Sequence, residues 1–91
     1  MALAIYFTPK SMNTAQYDAC IARLESVGAG SPAGRLQHYC FGSGDQLHVL
    51  DVWDSQESFD HFGQTLMPIL AEIGVDAGDP QISLLHNTIA G

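Results

Sequence analysis

Residues 35–41 and 47–53 are two strand-like runs on either side of Gly42-Ser43-Gly44-Asp45. A glycine-rich break between runs of apolar and aromatic residues is a hairpin signal, so the middle of the chain is committed to antiparallel sheet. Whatever flanks that hairpin must pack on it. On the N-terminal side, residues 3–8 form a short apolar run closed by Pro9, which reads as a first strand. Asn13 and Gln16 then stand as a capping box, with Met12 and Tyr17 placed as a hydrophobic staple. Tyr17, Cys20, Ile21, Leu24 and Val27 recur at helical spacing, and Gly28, Gly30 and Pro32 stop the helix. On the C-terminal side, Asp54 and Glu57 form a second capping pair. Phe59, Phe62, Leu66, Ile69, Leu70 and Ile73 mark the apolar stripe of a second helix, which Gly74 ends. Pro68 removes an internal hydrogen bond, so a kink or a fresh start is expected near residues 65–68. After a loop at residues 76–80, residues 82–89 read as the last strand.

The order is therefore βαββαβ, an α+β chain of the ferredoxin-like, split βαβ kind. Right-handed crossovers put both helices on one face of a four-stranded antiparallel sheet and leave the other face bare. Ninety-one residues make a single domain, residues 1–91. An apolar share of 46 % is generous for a lone monomer of that size. Covering the bare face with a second copy is the simplest use of the surplus, so a homodimer forming an α/β barrel is expected.

Three Lys and Arg against ten Asp and Glu give a formal charge of -7. Lys10, Arg23 and Arg35 are scattered, so neither nucleic acid nor a membrane surface is an expected partner. Cys20 and Cys40 lack CxxC spacing and read as free thiols of a reducing compartment. With no basic leader and no run of membrane-spanning length, a cytoplasmic location is expected. No HxH, HxxxH or HExxH pair occurs, and no metal is expected. Glycines leading into a helix and Gly-x-Ser-x-Gly are both missing, which argues against a phosphate loop and a hydrolase elbow.

The segment Val49-Leu50-Asp51-Val52-Trp53-Asp54-Ser55-Gln56-Glu57-Ser58-Phe59 resembles the strand-to-helix passage of the dimeric α/β-barrel superfamily, in its antibiotic-biosynthesis-monooxygenase-like branch. That resemblance implies a dimer enclosing a mostly apolar pocket. It also implies activities ranging from cofactor-independent oxidation of quinol-like aromatics to haem degradation, lactone isomerisation or none. Similar haem-degrading members carry a helix Trp and His ten residues apart. Those positions are Phe62 and Glu72 here, and the first strand has no Asn, so haem binding is not expected. Many quinol-oxidising relatives carry a helix His that aligns with Phe62. His61, one residue away, is rotated by about 100° and does not replace it.

Among candidate site residues, alternation sets Asp51 and Trp53 on one face of the third strand, assigned to the barrel interior, and leaves Leu50 and Val52 for the helices. His38 reaches the side of Asp51 in one hairpin register and the helix side in another. In the first, Asp51 orients an imidazole base. Trp53, Tyr6 and His86, the last alternating with Leu84 and Ile82, are candidate ligand-binding residues. His48 and His61 read as surface residues. Two functions stay open: a cofactor-free enzyme with His38 and Asp51 as catalytic pair acting on a small apolar or aromatic molecule, and a non-catalytic dimeric binding or interaction module. A polar cluster facing a cavity favours the first. A pocket filled by its own side chains favours the second.

Overall fold

A computed structural model describes all residues, 1–91. Its elements are β1 (Leu3–Phe7), α1 (Thr14–Ser26), β2 (Arg35–Phe41), β3 (His48–Trp53), α2 (Gln56–Ile73) and β4 (Gln81–Leu84), the expected βαββαβ order. The four strands form one antiparallel sheet in the order β2-β3-β1-β4.

Both helix starts follow from local chemistry. Asn13 Oδ1 accepts from the Gln16 amide at 2.9 Å, and Gln16 Oε1 accepts from the Asn13 amide at 3.0 Å, closing the capping box. The second cap differs from the expectation at Asp54: Ser55 caps α2, its Oγ accepting from the Ser58 amide at 3.1 Å. Gly74, in the left-handed region at φ 84°, ends α2 as expected.

Pro68 does not interrupt α2, which runs unbroken through it. The residue is exposed, as is Gln64, whose carbonyl loses the amide partner and is left to water. Phe62 on one side and Ile69 and Leu70 on the other are buried in the same core, and that packing carries the helix across.

The paired residues decide which way each strand faces. Leu3, Ile5 and Phe7 of β1 lie opposite Trp53, Asp51 and Val49 of β3. Leu3, Ile5, Phe7 and Trp53 belong to the same buried cluster as Cys20 and Leu24 of α1 and Phe62, Ile69 and Leu70 of α2. Asp51 and Trp53 therefore look toward the helices, while Leu50 and Val52 share the uncovered face with Ala4 and Tyr6. This reverses the expected assignment. Both rows of β3 are apolar enough to be buried, so alternation separates them without saying which row meets the helices.

The hairpin connection spans residues 42–47, longer than the tight turn expected, because Phe41 pairs with His48. Met12 explains it. Its amide donates to the Asp45 carbonyl at 2.8 Å and its carbonyl accepts from the Leu47 amide at 3.1 Å, tying the β1–α1 loop to the hairpin. Gly42 turns the chain at φ 119°, where an added Cβ would collide with the Gln46 carbonyl.

The last strand is shorter than expected. β4 pairs only with β1, and that pairing is used up at Leu3 opposite Leu84. Beyond it a single bond, from the Leu85 amide to the Ala2 carbonyl at 2.9 Å, continues the contact. No helix is long and apolar enough to cross a membrane.

Candidate active site

The register of β2 on β3 sets His38 directly opposite Asp51. The two share a face, as one expected register required, but it is the face turned to the helices. His38 Nδ1 lies 2.5 Å from Asp51 Oδ1. Trp53 Nε1 donates to the other carboxylate oxygen at 3.3 Å. Asp51 is buried, and these two donors are what let a carboxylate sit there.

With Asp51 accepting at Nδ1, the imidazole keeps its proton there and offers the lone pair of Nε2. The Tyr17 hydroxyl, reaching down from α1, donates to that nitrogen at 2.6 Å. The Tyr17 and His38 rings lie nearly parallel, 9° apart with centroids at 6.0 Å. A hydrogen-bonded chain thus runs Tyr17–His38–Asp51–Trp53 across helix, edge-side strand and central strand. No buried side-chain nitrogen or oxygen is left without a partner.

Above the chain lies a cavity of about 70 Å³ between sheet and helices. Tyr17, Cys20, His38, Asp51, Phe62 and Leu66 are among its lining residues, and its surface is apolar almost throughout. Arg35 is the only cationic side chain there. A bulge between Arg35 and Gln37 breaks the alternation of β2 and sets Arg35 opposite Trp53. The guanidinium lies 6.0 Å from the Phe62 ring centroid, and Nη2 donates to the Gly30 carbonyl at 3.1 Å.

Burial, followed by the neighbouring Cys40, holds the Tyr17 phenol above its ordinary pKa; Asp51 and Cys20 add to this and Arg35 opposes it. Burial likewise pushes up the Cys20 thiol, so it stays protonated at neutral pH and is a poor nucleophile.

The remaining candidates lie elsewhere. Trp53 is fully buried and packs on Phe59 and Phe62 at 5.7 and 5.3 Å, so it supports the site from below and gives the cavity no stacking wall. Tyr6 is on the opposite face of the sheet, its hydroxyl hydrogen-bonded with His48 Nδ1 at 2.9 Å, so it cannot wall this cavity. His48 is half-buried there, contrary to the expectation of a surface residue, whereas His61 is exposed. His86 lies past the end of β4 and is exposed, because β1 offers nothing further to pair with. Tyr17 is the residue sequence reasoning missed. It fits the apolar stripe of α1, and the one signal of its role is that a half-buried phenol needs a partner.

No family model and no curated protein matches the chain. Solved structures do. A candidate antibiotic biosynthesis monooxygenase from Chloroflexus aurantiacus is similar at TM-score 0.69 and 20 % identity, over 99 % of this chain and 98 % of that one. SnoaB, a cofactor-independent oxygenase from Streptomyces nogalater, is similar at TM-score 0.62 and 16 % identity, over 99 % and 96 %. A candidate antibiotic biosynthesis monooxygenase from Caulobacter crescentus gives 0.63 and 20 %, over 97 % and 91 %. The fold is that of the antibiotic-biosynthesis-monooxygenase-like proteins, ferredoxin-like over the full length, as the segment around Trp53 implied.

Proposed function

We propose that the chain acts as a homodimeric, cofactor-independent oxygenase of a small aromatic hydroxyl compound bound between sheet and helices. The observation that carries this reading is the Tyr17–His38–Asp51–Trp53 chain, which presents an oriented imidazole at an apolar cavity. SnoaB, which shares the fold, is a cofactor-independent oxygenase and supports the same reading.

In the proposed reaction His38 Nε2 takes the hydroxyl proton of the substrate, and Asp51 stabilises the imidazolium that forms. Arg35, the one cation at the cavity, steadies the resulting anion. Dioxygen is the oxidant: it bonds to the electron-rich ring carbon, which carries two hydrogens in the keto form, and the resulting peroxide loses water to leave a carbonyl. One oxygen atom stays in the product and the other leaves as water, so the four electrons lost by carbon are those gained by dioxygen.

Oxygen uptake across a panel of phenols and quinols tests the proposal. His38→Ala and Asp51→Asn should each lower turnover by about 100-fold or more while circular dichroism still reports a folded domain. Folded variants with undiminished turnover would remove both residues from the mechanism. One observation favours a non-catalytic binding module instead: no buried side-chain nitrogen or oxygen lacks a partner even without a ligand. That reading expects no compound in the panel to consume oxygen.

A further inference from the structure

The base nitrogen of the site is not open. His38 Nδ1 is taken by Asp51 and Nε2 by the Tyr17 hydroxyl at 2.6 Å, so the cavity beside them shows an almost wholly apolar surface. The cavity, at about 70 Å³, is also smaller than the roughly 150 Å³ known to hold benzene in a protein core. A ligand able to reach Nε2 must displace Tyr17, and the side chain is suited to move. It is half-buried rather than locked in the core, and it stands in the first turns of α1, where only its hydroxyl holds a polar partner. His38, by contrast, is fixed from below by Asp51, which is in turn held by Trp53.

What Tyr17 does in the resting state also describes what can replace it. Its aromatic ring lies parallel to the imidazole, with a hydroxyl aimed at Nε2 and apolar side chains around it. An incoming molecule without a hydroxyl would leave Nε2 unpaired against apolar walls, which is unfavourable. One with a hydroxyl on a single ring restores what was lost.

We propose that Tyr17 is a gate that caps His38 in the resting state, and that the ligand class that opens it is the monocyclic phenols. This rests on the reading of His38 as the substrate-facing base. It adds that the chain's own phenol competes with the substrate for one nitrogen, and so selects for hydroxyl-bearing rings.

The test measures binding of 4-methylphenol, and of toluene as its hydroxyl-free counterpart, by amide chemical shifts of the full chain. Tyr17→Phe keeps a ring in the stripe but removes the competing hydroxyl, and Tyr17→Leu serves the same purpose should the first fold poorly. Either should raise affinity for 4-methylphenol about tenfold, the worth of one hydrogen bond, and 4-methylphenol should bind more tightly than toluene in the unaltered chain and in the variants alike. Shifts should centre on His38, Tyr17 and Leu66. Unchanged or weaker 4-methylphenol binding in the folded variants overturns the proposal, as does toluene binding equal to that of the phenol. Oxygen uptake separates this from the reading beneath it. Tyr17-dependent phenol binding without turnover keeps the gate and removes the oxygenase. Turnover indifferent to Tyr17→Phe keeps the oxygenase and removes the gate.

Discussion

Asp51 is the residue on which the site turns, because a carboxylate buried under two helices is tolerated only while both oxygens are engaged. Asp51→Asn keeps the shape and breaks the pairing. The amide oxygen can still accept from one of His38 and Trp53, but its NH₂ then faces the other donor. Chemical denaturation should show a loss of about 1–3 kcal/mol, the usual cost of a buried polar group left without its partner. Tyr17 yields a prediction in pH. Its phenol, raised by burial, contributes stability that is intact below the ordinary phenol value near 10 and is lost as pH climbs toward the raised value. The Cys20 and Cys40 thiols, raised mainly by burial, begin the alkaline decline lower. Tyr17→Phe should therefore keep the earlier part of the decline in melting temperature and lose the part above about pH 10. Strand alternation set His38 on the face of Asp51 in one register, but opposite Val49; the longer hairpin connection moves it directly opposite Asp51. The sequence could not show Tyr17 joining them, because the meeting of α1 with β2 depends on a crossover that no local pattern encodes.

Among the elements, α2 is where packing most plainly outweighs propensity. Pro68 lacks the amide that would bond to the Gln64 carbonyl, and a helix-interior proline costs about 3 kcal/mol against alanine. Yet α2 continues, because Phe62, Ile69 and Leu70 bury its stripe on both sides of the defect. Pro68→Ala should restore the hydrogen bond at an exposed site with no packing lost. The expected gain is about 1–3 kcal/mol in a denaturant titration, with no change in the cavity residues. A loss of stability there would mean that the proline fixes a bend the core needs. The capping box of α1, the αL glycine ending α2 and the apolar stripes were legible because each is decided within one turn of chain. The ends of β3 and β4 were not. They depend on how far a neighbouring strand extends: Leu84 is the last β4 residue to find a β1 partner, at Leu3, and Phe41 fixes His48 as the first residue of β3.

At the scale of the whole molecule, the uncovered face of the sheet is the unfinished part. Gln37, Tyr39 and Phe41 of β2, His48, Leu50 and Val52 of β3, Ala4 and Tyr6 of β1, and Gln81 and Ser83 of β4 share it. None of these ten is an Asp, Glu, Lys or Arg, in a chain whose formal charge is -7. Tyr39 is 50 % exposed and Phe41 46 %, and Tyr6, Phe41 and His48 form an aromatic cluster there. An uncharged face with exposed aromatic side chains is the kind that self-association buries, and a two-fold pairing sets the same patch against itself. The charges lie off the patch, so two copies repel at long range while attracting at contact. Added salt screens the first effect and leaves the second, so dimerisation should strengthen between low ionic strength and about 0.15 M. Light scattering at micromolar concentration should give twice the 9.8 kDa chain mass. Tyr39→Glu, which places a carboxylate on the patch, should return the mass to that of one chain and leave the Tyr17–His38–Asp51 bonds untouched, since they lie on the other side of the sheet. A single-chain mass for the unaltered protein at micromolar concentration and moderate salt would refute the dimer and leave the cavity argument standing, because the cavity is built from one chain alone.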